Sequence, residues 1–232
     1  MRLLVFDTGP VITLSVNALL WAMFPLRKRF NGRFVITPEV RRELIDVPLK
    51  GKKYKFEALR VQDLINEKVF EIVEDAEISA KSSQLMNLAN SCFKARGTHL
   101  RIVQTAEIEA LAAAIVLKAE ALVVDERTTR MLIEQPEQLE RLLENKLHAD
   151  VVVDKENLEK FKQEVRNVNV IRSVELVTVA YKLGLLDRYV TADHTVYENM
   201  KNILLYSALW ALKLYGAAIS ADEIDEIVSL EK

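Results

Sequence analysis

The sequence predicts an α/β fold with a mainly parallel central sheet covered by helices on both faces. Three observations predict it. Short apolar runs alternate with helix-length segments from the first residues onward, two of those runs end in an aspartate, and the 232 residues include only six Gly and five Pro. Alternating strand and helix is the pattern of parallel β-α-β units. Strands buried on both faces read as unbroken apolar runs, and scarce Gly and Pro mean short loops and many helices.

Residues 2–6 form the first strand, whose core Leu3-Leu4-Val5-Phe6 stops at Asp7. A helix over 10–24 follows, entered through Thr8-Gly9-Pro10 with proline in its first turn. Residues 33–37 are the second strand and 38–45 a helix with Thr37 as N-cap, while 47–53, with Pro48 and Gly51, reads as a loop. Helix 55–66, strand 69–73 and helices 78–94 and 105–118 come next, the last packed through Ile108, Leu111, Ala112, Ile115 and Val116. Residues 121–124 are a short buried strand ending at Asp125. A helical stretch over 126–144, interrupted near Pro136, precedes a helix over 156–165, with 150–155 open between strand and loop. Residues 168–171 are a last strand and 174–185 its returning helix. Beyond Leu186 only helices remain, over 191–215 and 221–229, with Ser220 as a cap.

Half of the residues are hydrophobic and 28% are charged, the balance of a soluble globular chain. A formal net charge of −2 gives no whole-molecule support for nucleic-acid binding, so any such role must rest on local clusters. Cys92 is the single cysteine, which excludes an internal disulfide framework and fits a reducing cytoplasm, where it serves as a small apolar side chain. No signal peptide is evident, and the best membrane candidate, 203–219, is short and contains Lys213, so a core or oligomer-interface helix is expected there.

Ligands of open α/β sheets bind beyond the carboxyl ends of the strands. Asp7 and Asp125 end two apolar strands of one sheet and can therefore share a crevice. Each also has a structural role open to it, Asp7 in the Thr8-Gly9-Pro10 turn and Asp125 as a helix cap. On the helix after the second strand, at about 100° per residue, Glu43 lies roughly 80° from the buried face and Glu39 roughly 120°, so Glu43 is nearer the protein. Glu107 and Glu109 both open the following long helix, where first-turn carboxylates are favoured, and they flank Ile108 symmetrically; periodicity does not choose between them.

Four segments carry a resemblance: Leu3-Leu4-Val5-Phe6-Asp7-Thr8-Gly9-Pro10, Val35-Ile36-Thr37-Pro38-Glu39-Val40-Arg41-Arg42-Glu43-Leu44, Ala106-Glu107-Ile108-Glu109-Ala110-Leu111-Ala112 and Leu122-Val123-Val124-Asp125-Glu126-Arg127. In this order they resemble the PIN-domain family of metal-dependent nucleases, in its archaeal and bacterial branch, with Ala106 where that branch has Gly. The resemblance implies a three-layer α/β/α fold over 1–186, with an insertion at about 136–164, and a C-terminal helical extension over 187–232 that matches nothing in the family. It implies a catalytic set of Asp7, Glu43, Glu107 and Asp125, with Glu107 placed by its spacing of 125 − 107 = 18 positions from the last acid. RNA is the implied substrate and a 5′-phosphate the implied product. Toxin nucleases of the family pair with an antitoxin protein, and the larger size of this chain leaves that pairing open.

Clustered carboxylates repel one another, and either raised pKa values or a divalent cation relieves the repulsion. Hard oxygen donors suit Mg²⁺ or Mn²⁺, with Asp7, Glu107 and Asp125 as metal ligands and Glu43 acting directly or through water. Thr8 is expected to orient Asp7 or a water, and Glu126 to support the site. His99, His148 and His194 stand apart and form no zinc set. Three groups of basic residues lie next in sequence to Glu43, Glu107 and Asp125: Lys50, Lys52 and Lys53, with Lys55, then Arg96 and Arg101, with Lys94, then Arg127 and Arg130; these are the expected phosphate contacts.

A single Asp7-Thr8-Gly9 in a largely helical chain does not make an aspartic protease, which pairs two such loops in an all-β fold. Gly at position 9 likewise rules out an Asp-Xaa-Asp phosphatase. The alternative from another class is a catalytically inactive PIN-like module that binds RNA or a protein. Leu204, Leu205, Ala208, Leu209, Leu212 and Leu214 spread around the late helix, which predicts burial within the chain or in a homodimer.

Overall fold

The computed structural model describes residues 2–190 and 200–231. Strand β1 (Leu3–Phe6) leads through helices α1 (Thr8–Val16) and α2 (Met23–Phe30) to β2 (Arg33–Ile36). Helices α3 (Pro38–Arg41), α4 (Val47–Lys50) and α5 (Lys55–Asn66) then precede β3 (Phe70–Ile72). Next come α6 (Ala76–Ala89), β4 (Phe93–Ala95), β5 (Thr98–His99), α7 (Thr105–Val116) and β6 (Ala121–Val123). Helices α8 (Arg127–Glu134) and α9 (Pro136–Leu147), strand β7 (Val151–Val153) and helix α10 (Lys155–Val165) lead to β8 (Val170–Ile171). Helices α11 (Ser173–Lys182), α12 (Met200–Leu214) and α13 (Ala221–Leu230) complete the described chain.

The central sheet has the order β3-β2-β1-β6-β8, and every neighbouring pair is parallel. All four residues of β1 are buried, which requires cover on both faces of the sheet. Helix contacts fall into two groups, α1 with α5 and α11, and α7 with α6 and α3, giving the expected α/β fold with helices flanking a parallel sheet. Phe6, Phe34 and Phe70 meet beneath the strand ends, with ring centroids 5.1 Å and 5.2 Å from Phe6. This buried aromatic cluster fixes the strand that presents Asp7.

From β1 the chain winds outward to β2 and β3, and from β6 it winds the other way to β8. The order therefore reverses between β1 and β6, which is where such sheets open a crevice at their carboxyl ends. Phe6 is in register with Val123, and the Asp7 amide donates to the Val123 carbonyl at 2.9 Å. Asp7 and Asp125 thus emerge side by side at the switch point.

Several local expectations are corrected. The single helix over 10–24 is broken after Val16, because Ala18 takes a left-handed conformation (φ 56°) and Asn17 turns its side-chain amide back onto the Thr13 carbonyl. The expected loop over 47–53 is helical up to Lys50 and is joined to α3 by a π-helical turn, Arg42–Asp46. Pro48 has no N–H to return to the preceding turn, and a widened turn there accommodates that loss. The helix over 78–94 ends at Ala89, and its tail is instead β4, which pairs antiparallel with both β5 and β7 in a small second sheet. The open stretch 150–155 is resolved by the same sheet, since β7 supplies its third strand. The expected helix over 191–215 is described from Met200; residues 191–199, with His194, lie outside the described part.

Helix α12 packs on α11 and α13 and buries Leu205, Leu209 and Leu212 within the chain, while Ile203, Tyr206, Leu214 and Tyr215 remain exposed. Arg172, at the end of β8, pairs with Glu175 and with Glu223 of α13 and so ties the C-terminal helices to the sheet. Among the described residues no single helix is long and apolar enough to cross a membrane.

Candidate carboxylate site

Asp7 follows β1 in an extended conformation and caps α1, its Oδ2 accepting the Gly9 amide at 3.3 Å. It is only 3% exposed, and its Oδ1 has no hydrogen-bond partner among the described residues. Burial first, and then the charges of Glu107 and Glu43, push its carboxyl from 3.8 up to about 7, against the hydrogen bonds from Thr8 and Gly9. A buried carboxylate oxygen without a partner is rare and needs a reason.

Glu43 sits in the π-helical turn and is half-buried, and its Oε2 accepts the Thr8 hydroxyl at 2.8 Å. The side chain of Thr8 therefore orients Glu43, whereas its backbone serves Asp7. Glu107 is buried in the first turn of α7, where its Oε2 accepts both the Gln104 amide at 3.0 Å and the Thr129 hydroxyl at 2.9 Å. Its carboxyl is raised mainly by burial, and the charges of Glu126 and Glu43 add to this. Glu109 points elsewhere: its Oε2 accepts the Glu39 amide at 2.9 Å and thereby binds α7 to the start of α3. Glu126 caps α8 through a 2.7 Å bond from the Thr129 amide.

Asp125 lies on the other side of Gly9. A β-carbon built on Gly9 would sit 3.6 Å from both Asp125 Cβ and Asp7 Oδ2, so the glycine occupies the gap between the two acids. Asp125 is 2% exposed, and both of its oxygens are engaged at 2.8 Å by Ser173, one by the amide and one by the hydroxyl. Burial raises its carboxyl, and the bonds from Ser173 and the Thr13 hydroxyl counter the rise. The site accordingly divides into Asp7 with Glu43 and Glu107, which act on one another through their charges, and Asp125, which is latched to the start of α11.

The C-terminal segment reaches this latch. Gly216, between α12 and α13, has φ 142°, and a β-carbon there would lie 2.9 Å from the Thr13 hydroxyl. Gly216→Ala is therefore expected to destabilise the chain by about 1–2 kcal/mol, through a strained backbone and a displaced Thr13. Denaturant midpoints of the two proteins check this, and an unchanged midpoint would show that the contact is slack.

The basic residues distribute unevenly. Lys52 and Lys53 line a cavity that reaches Glu43, and Arg101 lines a cleft that reaches Glu107 and Glu126. Lys50 ends α4 at the surface, and Arg96 is exposed in the β4–β5 turn at φ 50°. Arg127 and Arg130 lie in two other clefts, Arg130 3.8 Å from Glu134. Between them in α8, Thr129 turns to Glu107, whereas Arg127 and Arg130 line clefts that contain none of the four acids. Lys146, Thr129, Ser173 and Tyr54 adjoin the site and were not singled out by sequence. Ser173 had a signal, since it follows the end of β8 as Asp125 follows β6. Cys92 is buried, its thiol pushed up to about 12, and is not a nucleophile. His99 and His148 are exposed and apart from the acids.

Among the described residues no group of three or more carboxylate, imidazole or thiol side chains is gathered closely enough to chelate a metal ion as the side chains stand. What the site offers a cation is an all-oxygen donor set with one buried, unpartnered oxygen, Asp7 Oδ1. That chemistry fits a hard divalent ion at Asp7, whose carboxyl feels the charges of Glu107 and Glu43. Asp125 would join only by releasing Ser173.

No protein-family model matches the sequence, and no curated protein matches it. Among solved structures, the chain is similar to one in the crystal structure of VapBC2 from Rickettsia felis bound to a DNA fragment from their promoter, at 15% identity and a TM-score of 0.44. The match covers 74% of this chain and 98% of that one.

Proposed function

We propose that the chain is a PIN-like, Mg²⁺- or Mn²⁺-dependent ribonuclease acting on single-stranded RNA. The observation that carries this reading is Asp7, a buried acid at the switch point of a parallel sheet with one oxygen unpartnered and its charge opposed by Glu43 and Glu107. Asp7 would hold the cation through its free oxygen, and Glu43 and Glu107 would join by turning their side chains toward it, since the three do not converge as they stand. Bound there, a divalent ion supplies a water of lowered pKa and stabilises charge on the phosphodiester. Thr8 fixes the Glu43 carboxylate, and Thr129 with the Gln104 backbone amide fixes Glu107, so both acids are held in set orientations. Burial of Asp7, which is 3% exposed, keeps competing water from its free oxygen.

A second reading, a binding module without catalysis, is favoured by one observation: Ser173 satisfies both oxygens of Asp125. Cleavage of end-labelled single-stranded RNA by wild type, Asp7→Asn and Asp125→Asn separates the two. Metal-dependent cutting lost in Asp7→Asn supports the nuclease. Cutting that survives both substitutions would remove the acids from the mechanism, and RNA binding without cutting would favour the module.

A homodimer through the exposed face of α12 belongs to the same proposal, as does an antitoxin-like protein partner. Sedimentation equilibrium should give twice the chain mass for the homodimer, and a monomeric mass would reject it.

A further inference from the structure

We propose that the cavity beside Glu43 is a nucleobase subsite, in which Tyr54 stacks on a base of the RNA strand while Lys52 and Lys53 hold its phosphates. This rests on the ribonuclease reading for the nature of the strand and adds where one of its bases is seated. The cavity, of about 300 Å³, lies between α1, the π-helical turn and α5, with Ile12, Leu44 and Val61 among its walls. That volume is at the small end of ligand pockets and suits a single ring system.

Four features give the cavity this character. It shares Glu43 with the carboxylate site, so an occupant lies next to the acids. Ser15, in its wall, is 2% exposed, and its hydroxyl has no hydrogen-bond partner among the described residues. A buried hydroxyl left without a partner costs free energy that the polar edge of a base would recover. Tyr54 stands at the rim with 43% of its surface exposed, held at φ 61° in the left-handed region, and the Lys53 ammonium lies 5.9 Å from its ring centroid. Lys52 and Lys53 line the cavity, with Lys50 and Lys55 close by in sequence, on a chain whose net charge is −2, and these ammonium groups can hold the phosphates of a strand.

The cleft at the other side of the acids has a different character. Arg101 and Lys146 flank Glu107 and Glu126 there, without an aromatic ring. A strand lying across the carboxylates would thus have a base seated on the Glu43 side and its backbone held on the Glu107 side. Stacking on an aromatic side chain tolerates any base, and the Ser15 hydroxyl and Glu57 at the cavity wall are the groups able to discriminate among them.

The test is fluorescence anisotropy of labelled single-stranded RNA hexamers of each homopolymer on the full chain, with Ca²⁺ in place of Mn²⁺. Wild type, Tyr54→Ala and Tyr54→Phe are compared, and circular dichroism checks that each is folded. Tyr54→Ala should lower affinity by about tenfold or more, and Tyr54→Phe should keep the wild-type value. Equal affinity of wild type and Tyr54→Ala would overturn the subsite and leave the ribonuclease reading to the cleavage assay. Weakened binding by Tyr54→Ala in a protein that cuts nothing would uphold the subsite and reject the nuclease. No RNA binding by wild type would overturn both.

Discussion

Asp7→Asn is expected to reduce Mn²⁺- or Mg²⁺-dependent RNA cleavage about a thousandfold, and at alkaline pH to make the protein more stable. The first effect follows from the scale of metal catalysis: charge stabilisation is worth several kcal/mol, and each ~1.4 kcal/mol is a factor of ten in rate. The second follows from linkage. The folded protein holds the Asp7 proton up to about pH 7, whereas the unfolded chain releases it near 3.8. Between those values the folded state binds more protons, so the contribution of Asp7 to stability is fully present below 3.8 and is lost as pH rises through about 7. The upper limit of this loss is about 4 kcal/mol. Glu107, also raised by burial, acts in the same direction. At pH 8 the variant should exceed wild type by roughly 2–4 kcal/mol in urea unfolding, and at pH 4 the two should coincide. A variant no more stable at pH 8 would mean that Asp7 is well solvated or paired, contrary to its burial.

Asp125→Ala is expected to lower stability by about 3 kcal/mol, because the Ser173 amide and hydroxyl lose their acceptors in a buried place. Asp125→Asn should cost about 1 kcal/mol or less, since an amide oxygen can take the Ser173 N–H while the amide nitrogen donates to the hydroxyl. The pair of variants separates structure from chemistry. If Asp125 only latches α11, Asp125→Asn retains cleavage; if it also reaches a cation, activity falls in both variants while stability falls in one. Urea unfolding and the RNA assay on the same preparations decide between them. Equal stability loss in both would show that the carboxylate charge, rather than the acceptor geometry, holds Ser173.

The parts of the fold legible in the sequence were those written in local pattern. The apolar runs at residues 3–6 and 121–124 stop at aspartates because a fully buried strand excludes polar residues until it leaves the sheet, and both stops recur in the structure at neighbouring strand ends. The antiparallel sheet was not legible, because Phe93–Ala95 pairs with Val151–Val153 across more than 50 positions, and three-residue strands carry no alternation to read. Nor could helix periodicity separate Glu107 from Glu109. Their difference is tertiary: Thr129 lies within reach of one, and the Glu39 amide within reach of the other. The Ser173 latch on Asp125 depends on the strand order, which brings β8 beside β6. The place of Tyr54 is not legible in sequence, because its exposure and left-handed backbone are set by the turn into α5, which its own residue type does not announce. Adjacency along the chain does not fix where a basic side chain ends up: Lys52 and Lys53 share a cavity with Glu43 and Arg101 a cleft with Glu107, while Arg127 and Arg130 line other clefts.

Calorimetric titration of Mn²⁺ into wild type and Asp7→Asn at pH 7.5, in buffers of different ionisation enthalpy, tests the role of Asp7 most directly. Wild type is expected to bind saturably and to release a fraction of a proton, because a carboxyl held near 7 must ionise to take the metal. Asp7→Asn is expected to bind at least tenfold more weakly, without that release. Equal Mn²⁺ binding by the two proteins, or none by wild type, would contradict the assignment of Asp7 as the acid that holds the cation.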